Sequence, residues 1–351
     1  MTATIPSSSD KSLPIELLRA GCVLWIVGFW HLMNYTHGFP GADNAVTLRL
    51  TVIVLGLFTF VSGFLLARAP LRLRAPELGR FYARRLLRIY PLYLLALLAF
   101  WALGMADRST ALKAALGMSM VYGPAPLTLW FITMILEFYL VAPLLIALRG
   151  RPALFVLAAL GLFGVAAACG SAANGDLRLA EYFPAFALGV YWANRGERSS
   201  TRTVLSACGA TAAAWAWSLA FGRDPQYSLA GIPLVTCGAL AAFLLAGRLR
   251  LSPRGGLARA AALVSYASFA MYLFHRVVYK GLHALYDPAS PGLGLAWLLL
   301  VGLPVVVLVS WLVQRACDAL LQRASARAPR RWRLRASRAR SRDAHRGRTA
   351  R

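Results

Sequence analysis

Three ionisable side chains and an adjoining arginine lie in stretches otherwise apolar enough to sit in hydrocarbon. His31 lies in VLWIVGFWHLMNY (23–35), Glu137 in LTLWFITMILEFYLVAPLL (127–145), and His275 with Arg276 in SYASFAMYLFHRVVY (265–279). Ionisable groups inside a membrane helix are costly and are candidates for function. An imidazole titrates near neutrality and suits general-base work or a proton relay. A carboxylate such as Glu137 could orient that imidazole or stabilise its protonated form. For any single one of them, a plainer account is a buried polar group satisfied by a neighbouring helix. A second constellation is FYARRLLRIYPLYLL (81–95), where Arg85 and Arg88 stand three residues apart and share a helix face. Two forked guanidiniums on one face can clamp phosphate. Arginines at a helix end are also what membrane topology alone would place there.

These residues need elements to carry them, and the composition says what kind. Of 351 residues, 59% are hydrophobic, too many for a soluble domain of this size. The chain reads as an all-α polytopic membrane protein. Apolar runs long enough to cross a bilayer are expected at about 17–36, 45–67, 82–104, 128–148, 152–169, 180–194, 203–221, 230–246, 260–282 and 293–315. That makes ten transmembrane helices. A further segment, TALKAALGMSMVYG (110–123), is too short to span and is expected to be re-entrant or interfacial.

Charge decides between ten and eleven crossings. With ten and a cytoplasmic N-terminus, one side carries Arg68, Arg72, Arg74, Arg80, Arg84, Arg85 and Arg88, then Arg149 and Arg151, then Arg195, Arg198 and Arg202, then Arg248, Arg250, Arg254 and Arg259. The other side carries few basic groups, among them Arg49, Arg108, Lys113, Arg178 and Arg223. Counting 110–123 as a crossing would move the later basic loops outside, against the positive-inside rule. Both termini are therefore expected in the cytoplasm. The same rule explains most of the net charge of +25 without calling on nucleic acid as a specific partner.

The expected organisation is a polar N-terminus (1–15), a membrane domain (16–318) and a tail (319–351). From Arg323 onward the tail has 12 arginines against one aspartate, and it is expected to be disordered against an anionic inner leaflet. No small-residue cleavage site follows the first apolar run, so that run is read as a retained helix. The five cysteines form neither a Cys-x-x-Cys pair nor a metal-ligand spacing with histidine, so no metal site is expected. Nothing resembles a P-loop, which argues against an ATP-driven pump in this chain alone.

Six segments, in order, resemble the membrane acyltransferase-3 family of bacterial O-acyltransferases. They are LLRAGCVLWIVGFWHLMNY (17–35), LFTFVSGFLLAR (57–68), RRLLRIYPLY (84–93), LWFITMILEFYLVAPLL (129–145), FPAFALGVYWA (183–193) and SYASFAMYLFH (265–275). The resemblance covers about 15–315, without the hydrolase-like domain that some relatives carry. It implies an integral enzyme of the bacterial inner membrane that moves an acyl group, acetyl as the expected case, from cytoplasmic acyl-CoA to a hydroxyl acceptor. The acceptor class that the resemblance implies is carbohydrate: a cell-surface polysaccharide, glycolipid or related molecule. Acyl-CoA would be a substrate, with no permanently bound cofactor. His31 would be the general base and Glu137 a second catalytic group. Arg85, Arg88 and Arg19 would bind the donor. Trp130, Tyr139, Ser62, Tyr266 and His275 are further site candidates. A proton-coupled transporter using His31, Glu137 and His275 is the competing reading; against it, the chain shows no repeated halves and no paired broken helices.

The first segment departs from its family pattern. There the histidine follows the arginine by eleven residues, and here His31 follows Arg19 by twelve. At about 100° per residue, eleven steps come back to within about 20° of the starting face and twelve leave the pair about 120° apart. Either a π-bulge between them restores the common face, or Arg19 and His31 do not share one.

Overall fold

The computed structural model describes residues 13–36, 38–196, 199–222, 224–249, 252 and 255–327. The polar N-terminus up to residue 12, most of the arginine-rich tail, and Arg198, Arg223, Arg250 and Arg254 lie outside the described residues.

Eleven helices form the described chain, with no strand among them. They are α1 (Leu13–Met33), α2 (Ala45–Leu66), α3 (Ala75–Ala102), α4 (Arg108–Ala115), α5 (Trp130–Leu148), α6 (Pro152–Ser171), α7 (Arg178–Trp192), α8 (Thr201–Leu219), α9 (Ile232–Ala246) and α10 (Gly256–Leu285). The last, α11, runs Pro291–Trp297, Leu298–Gly302 and Leu303–Arg327 without a break. Eight of these are long and apolar enough to span a bilayer. These eight candidate spans fit an all-α polytopic membrane protein; α7 and α8, also among the ten expected crossings, pack beside them. The segment from residue 110 holds only α4, an eight-residue helix. Asp107 caps it by accepting from the Thr110 N–H at 2.9 Å and the Thr110 hydroxyl at 2.6 Å.

Local chemistry sets most boundaries. Asn44 opens α2 with a capping box closed by Thr47. Proline at the first turn opens α3, α6, α9 and α11. Helix α3 starts at Ala75, earlier than the apolar run near 82, because its first turns are polar helix formers lying before the hydrophobic stretch. Helix α11 continues through Arg327, past residue 318 where the tail was expected to begin. Ala, Leu, Gln and Arg dominate that stretch and keep it helical after its apolar part ends.

The core rests on very close helix approaches. Helix α2 packs along α7 and α9. A Cβ added at Gly189 would stand 2.1 Å from the Phe60 carbonyl oxygen, and one at Gly63 would stand 2.3 Å from that of Phe186. Small residues that let backbones touch are the usual means of packing membrane helices. Arg49 pins the same helix at its other end. Its fully buried guanidinium donates to the Ser218 hydroxyl and carbonyl (both 2.8 Å) and to the Gly222 carbonyl at 2.9 Å. Gly189→Val is expected to force α2 and α7 apart at a cost of roughly 1–3 kcal/mol or more. Its check is the thermal midpoint of the detergent-solubilised protein by monodisperse peak height; an unchanged midpoint would contradict this contact.

Candidate active site

Helix α1 holds a π-turn over Ile26–Trp30, between Arg19 and His31. The turn absorbs one extra residue and brings both side chains to α10. The Arg19 guanidinium donates to the Ser268 hydroxyl at 2.9 Å, and His31 Nδ1 lies 2.9 Å from His275 Nε2. Ser268 and His275 are seven residues apart, two turns along one helix face. Of the two alternatives set by the twelve-residue spacing, the structure adopts the bulge and the shared face.

The bonds around His275 assign the protons of the pair. Its Nδ1 lies 2.9 Å from the Tyr272 carbonyl and 3.1 Å from that of Met271. Carbonyl oxygens only accept, so Nδ1 carries the hydrogen and, in the neutral ring, Nε2 is a lone pair. His31 Nδ1 must then be the donor, which leaves His31 Nε2 as the bare nitrogen. The two ring planes are 7° from parallel, with centroids 4.8 Å apart. His31 is 9% exposed and His275 is fully buried. The arrangement also tolerates a proton on His31 Nε2, because the imidazolium keeps Nδ1–H on the same acceptor.

Toward the arginine-rich end lies a cavity of about 570 Å³. Arg19, Arg85, Arg88, Ser62, Tyr139 and Tyr266 all line it. Residues from α1, α2, α3, α5 and α10 thus meet in one space, with three guanidiniums on its walls. Asp318 and Gln314 of α11 line it too. The Tyr266 hydroxyl donates to one Asp318 oxygen at 2.7 Å and the Gln314 amide to the other at 3.1 Å. Phe131 and Tyr272 also form part of the wall, their rings 5.5 Å apart. Tyr272 packs in turn on His275, with centroids 6.1 Å apart. One aromatic layer, Phe131 and Tyr272, therefore stands between the cavity and the histidine pair.

An acyltransferase domain, of the acyltransferase-3 type, matches residues 14–315. The chain belongs to the membrane acyltransferase-3 family. No curated protein and no solved structure matches it.

Within this acyltransferase the sequence candidates fall into three places. Arg19, Arg85, Arg88, Ser62, Tyr139 and Tyr266 share the cavity, and His31 and His275 form the pair. Glu137 and Trp130 stand elsewhere. Both Glu137 oxygens are buried, and the backbone N–H of Met120 lies within reach of the carboxylate. Tyr93 and Asp176 are also in its electrostatic reach. Beside it the Tyr93 and Thr133 hydroxyls lie 2.7 Å apart, with Ser119 donating to Thr133 at 3.2 Å. Trp130 carries the Arg178 guanidinium 3.7 Å over its ring, while Arg178 is held by Asp176 at 2.6 and 2.9 Å and also covers Tyr227. That latch joins the start of α7 to the loop before α9. Sequence reasoning missed Asp318 and Gln314. A signal existed: Asp318 is the sole carboxylate between Asp287 and Asp343, four residues after a glutamine on one helix face.

The proton assignment is open to direct measurement. Ring ¹⁵N shifts of the acyltransferase in lipid nanodiscs, assigned with His31→Gln and His275→Gln, should show both imidazoles neutral and protonated at Nδ1. An Nε2–H signal from His275 would reverse the direction of the bond.

Proposed function

We propose that this acyltransferase moves an acyl group from acyl-CoA to a hydroxyl acceptor, with His31 Nε2 as general base. The observation that carries the reading is the His31–His275 bond. With Nδ1 of His275 committed to two backbone carbonyls, the pair presents one unprotonated nitrogen, on His31. His275 plays the part that a carboxylate plays in a serine hydrolase triad: it selects the tautomer and orients the ring without itself taking the proton.

The step balances as follows. His31 Nε2 takes the proton of the acceptor hydroxyl as its oxygen attacks the thioester carbonyl. The C–S bond breaks, an ester forms, and the thiolate leaves with the proton that His31 held. Arg19, Arg85 and Arg88 supply positive charge for the phosphates of the donor. The basic loops make the cavity end cytoplasmic by the positive-inside rule, which is where acyl-CoA is made. Acetyl is the expected acyl group. The histidines lie two turns of α10 further in, roughly 10 Å at 1.5 Å per residue. An acyl end extended past Tyr272 and Phe131 would meet them, and an acceptor would approach from the opposite face. A surface glycan or glycolipid fits that geometry, in a bacterial cytoplasmic membrane. Glu137 receives no proton-transfer role in this scheme, because its carboxylate neighbours Tyr93 and Asp176 rather than the histidines.

The test is label transfer in membranes containing the protein, supplied with [¹⁴C]acetyl-CoA. His31→Ala should lower transfer by about 10²–10⁴-fold, the range of a lost general base. His275→Ala should cost less but at least about tenfold, since the remaining imidazole can still adopt the productive tautomer part of the time. Equal transfer by wild type and a correctly inserted His31→Ala protein would remove His31 from the mechanism. Proton-coupled uptake without any label transfer would favour a transporter. Arg85→Ala and Arg88→Ala should each weaken acetyl-CoA binding about tenfold, for a lost charge-assisted bond of ~1.5 kcal/mol, with normal insertion. Unchanged donor affinity in both would leave those arginines a purely topological role.

A further inference from the structure

The π-turn of α1 must be held in place by something. One extra residue in a helix is stable only where its surroundings reward it. If the turn relaxed to regular α-helix, everything beyond it would rotate by about 100°, and His31 would leave the face of α10.

Tyr279 supplies the hold. In a regular α-helix the Val27 carbonyl would accept from the N–H of His31, four residues on. Here that N–H goes instead to the Ile26 carbonyl, five residues back. The Tyr279 hydroxyl donates to the Val27 carbonyl at 3.0 Å. Tyr279 is fully buried on α10 and stands four residues beyond His275, on the same face. One strip of α10 therefore grips α1 at both ends of the register shift: Tyr279 on the turn and His275 on the imidazole it delivers.

The far side of Tyr279 is shaped for this. Helix α11 has its own π-turn, Leu298–Gly302. A Cβ added at Gly302 would lie 3.4 Å from Cε1 of the Tyr279 ring. The next residue, Leu303, closes on the first π-turn, where a Cβ on Gly28 would lie 3.2 Å from its side chain. The two π-turns thus enclose one tyrosine. Tyr279 does not line the donor cavity.

We propose that Tyr279 is a positioning residue that locks the α1 π-turn in the register that presents His31 to His275. Its catalytic consequence rests on His31 being the base; its structural half does not.

The experiment uses the full chain in nanodiscs and four proteins: wild type, Tyr279→Phe, a deletion of Gly28, and the two changes together. Deleting one residue from the π-turn lets regular α-helix join Arg19 to His31 in the same register. With [¹⁴C]acetyl-CoA as probe, Tyr279→Phe should lower the turnover number at least tenfold and leave the donor KM within twofold. The deletion should make the hydroxyl dispensable, so that the double variant stays within threefold of the deletion alone. Ring ¹⁵N spectra should show the His31–His275 bond in wild type and lose it in Tyr279→Phe. A Tyr279→Phe protein that keeps both wild-type turnover and that ¹⁵N signature overturns the proposal. So does a Tyr279→Phe effect of equal size with and without Gly28. Should the deletion not fold, Gly302→Val, which crowds the Tyr279 ring, must reproduce the Tyr279→Phe spectrum or the proposal fails. Should wild type transfer no label, the acyl-transfer reading fails, while the spectra still decide the role of Tyr279.

Discussion

A hydrogen bond between two neutral imidazoles has a direction, and most of this molecule serves to set it. One ring must donate and the other accept, and in a buried pair no water can correct a wrong choice. The choice is made by the backbone of α10, where two carbonyls at the last turn before His275 claim its Nδ1–H. From that point the proton on His31 Nδ1 and the lone pair on Nε2 follow without further freedom. A helix carbonyl is a reliable device for this purpose, because it cannot be protonated near neutrality and cannot rotate.

The rest of the bundle can be understood as meeting that constraint. Both helices that carry the pair start at the arginine-rich end and run the same way, so their side chains lean in the same direction. Two π-turns adjust the faces, one bringing His31 round and the other leaving room for the ring beside it. On the other side of the bundle, α2, α7 and α9 approach through glycines and bury their backbones against one another. That half is rigid packing. The half that carries the candidate site is a set of polar contacts laid along α10: Ser268 with Arg19, His275 with His31, and Tyr279 with Val27.

The charges are separated along the same axis. Three arginines, with one aspartate held by a tyrosine and a glutamine, surround a cavity near the basic loops. The histidines lie deeper, behind Tyr272 and Phe131. The cavity arginines stand at that end, whereas Arg276 adjoins His275 in the chain and lies within electrostatic reach of both imidazoles.

Fold class, the short α4 segment and the acyltransferase family were all legible in the residues, because hydropathy over a span and the side on which arginines fall are properties of local sequence. So were the residues gathered at the candidate site: His31, His275, Arg19, Arg85, Arg88, Ser62, Tyr139 and Tyr266 all stood out by type and place. Even the question of a bulge could be posed, since the count between Arg19 and His31 makes a face mismatch arithmetically certain for a regular helix. What the count could not do is choose between bulge and mismatch, because the answer depends on groups more than two hundred residues away. The same holds for Glu137 and Trp130, which share a helix with Tyr139 but face other partners. It holds too for Asp318, which joins the cavity only because α11 returns alongside α10. Residue types and spacings along one helix are local. Which imidazole donates, and which tyrosine keeps the turn, is decided by contacts between helices that only the assembled bundle brings within hydrogen-bonding distance.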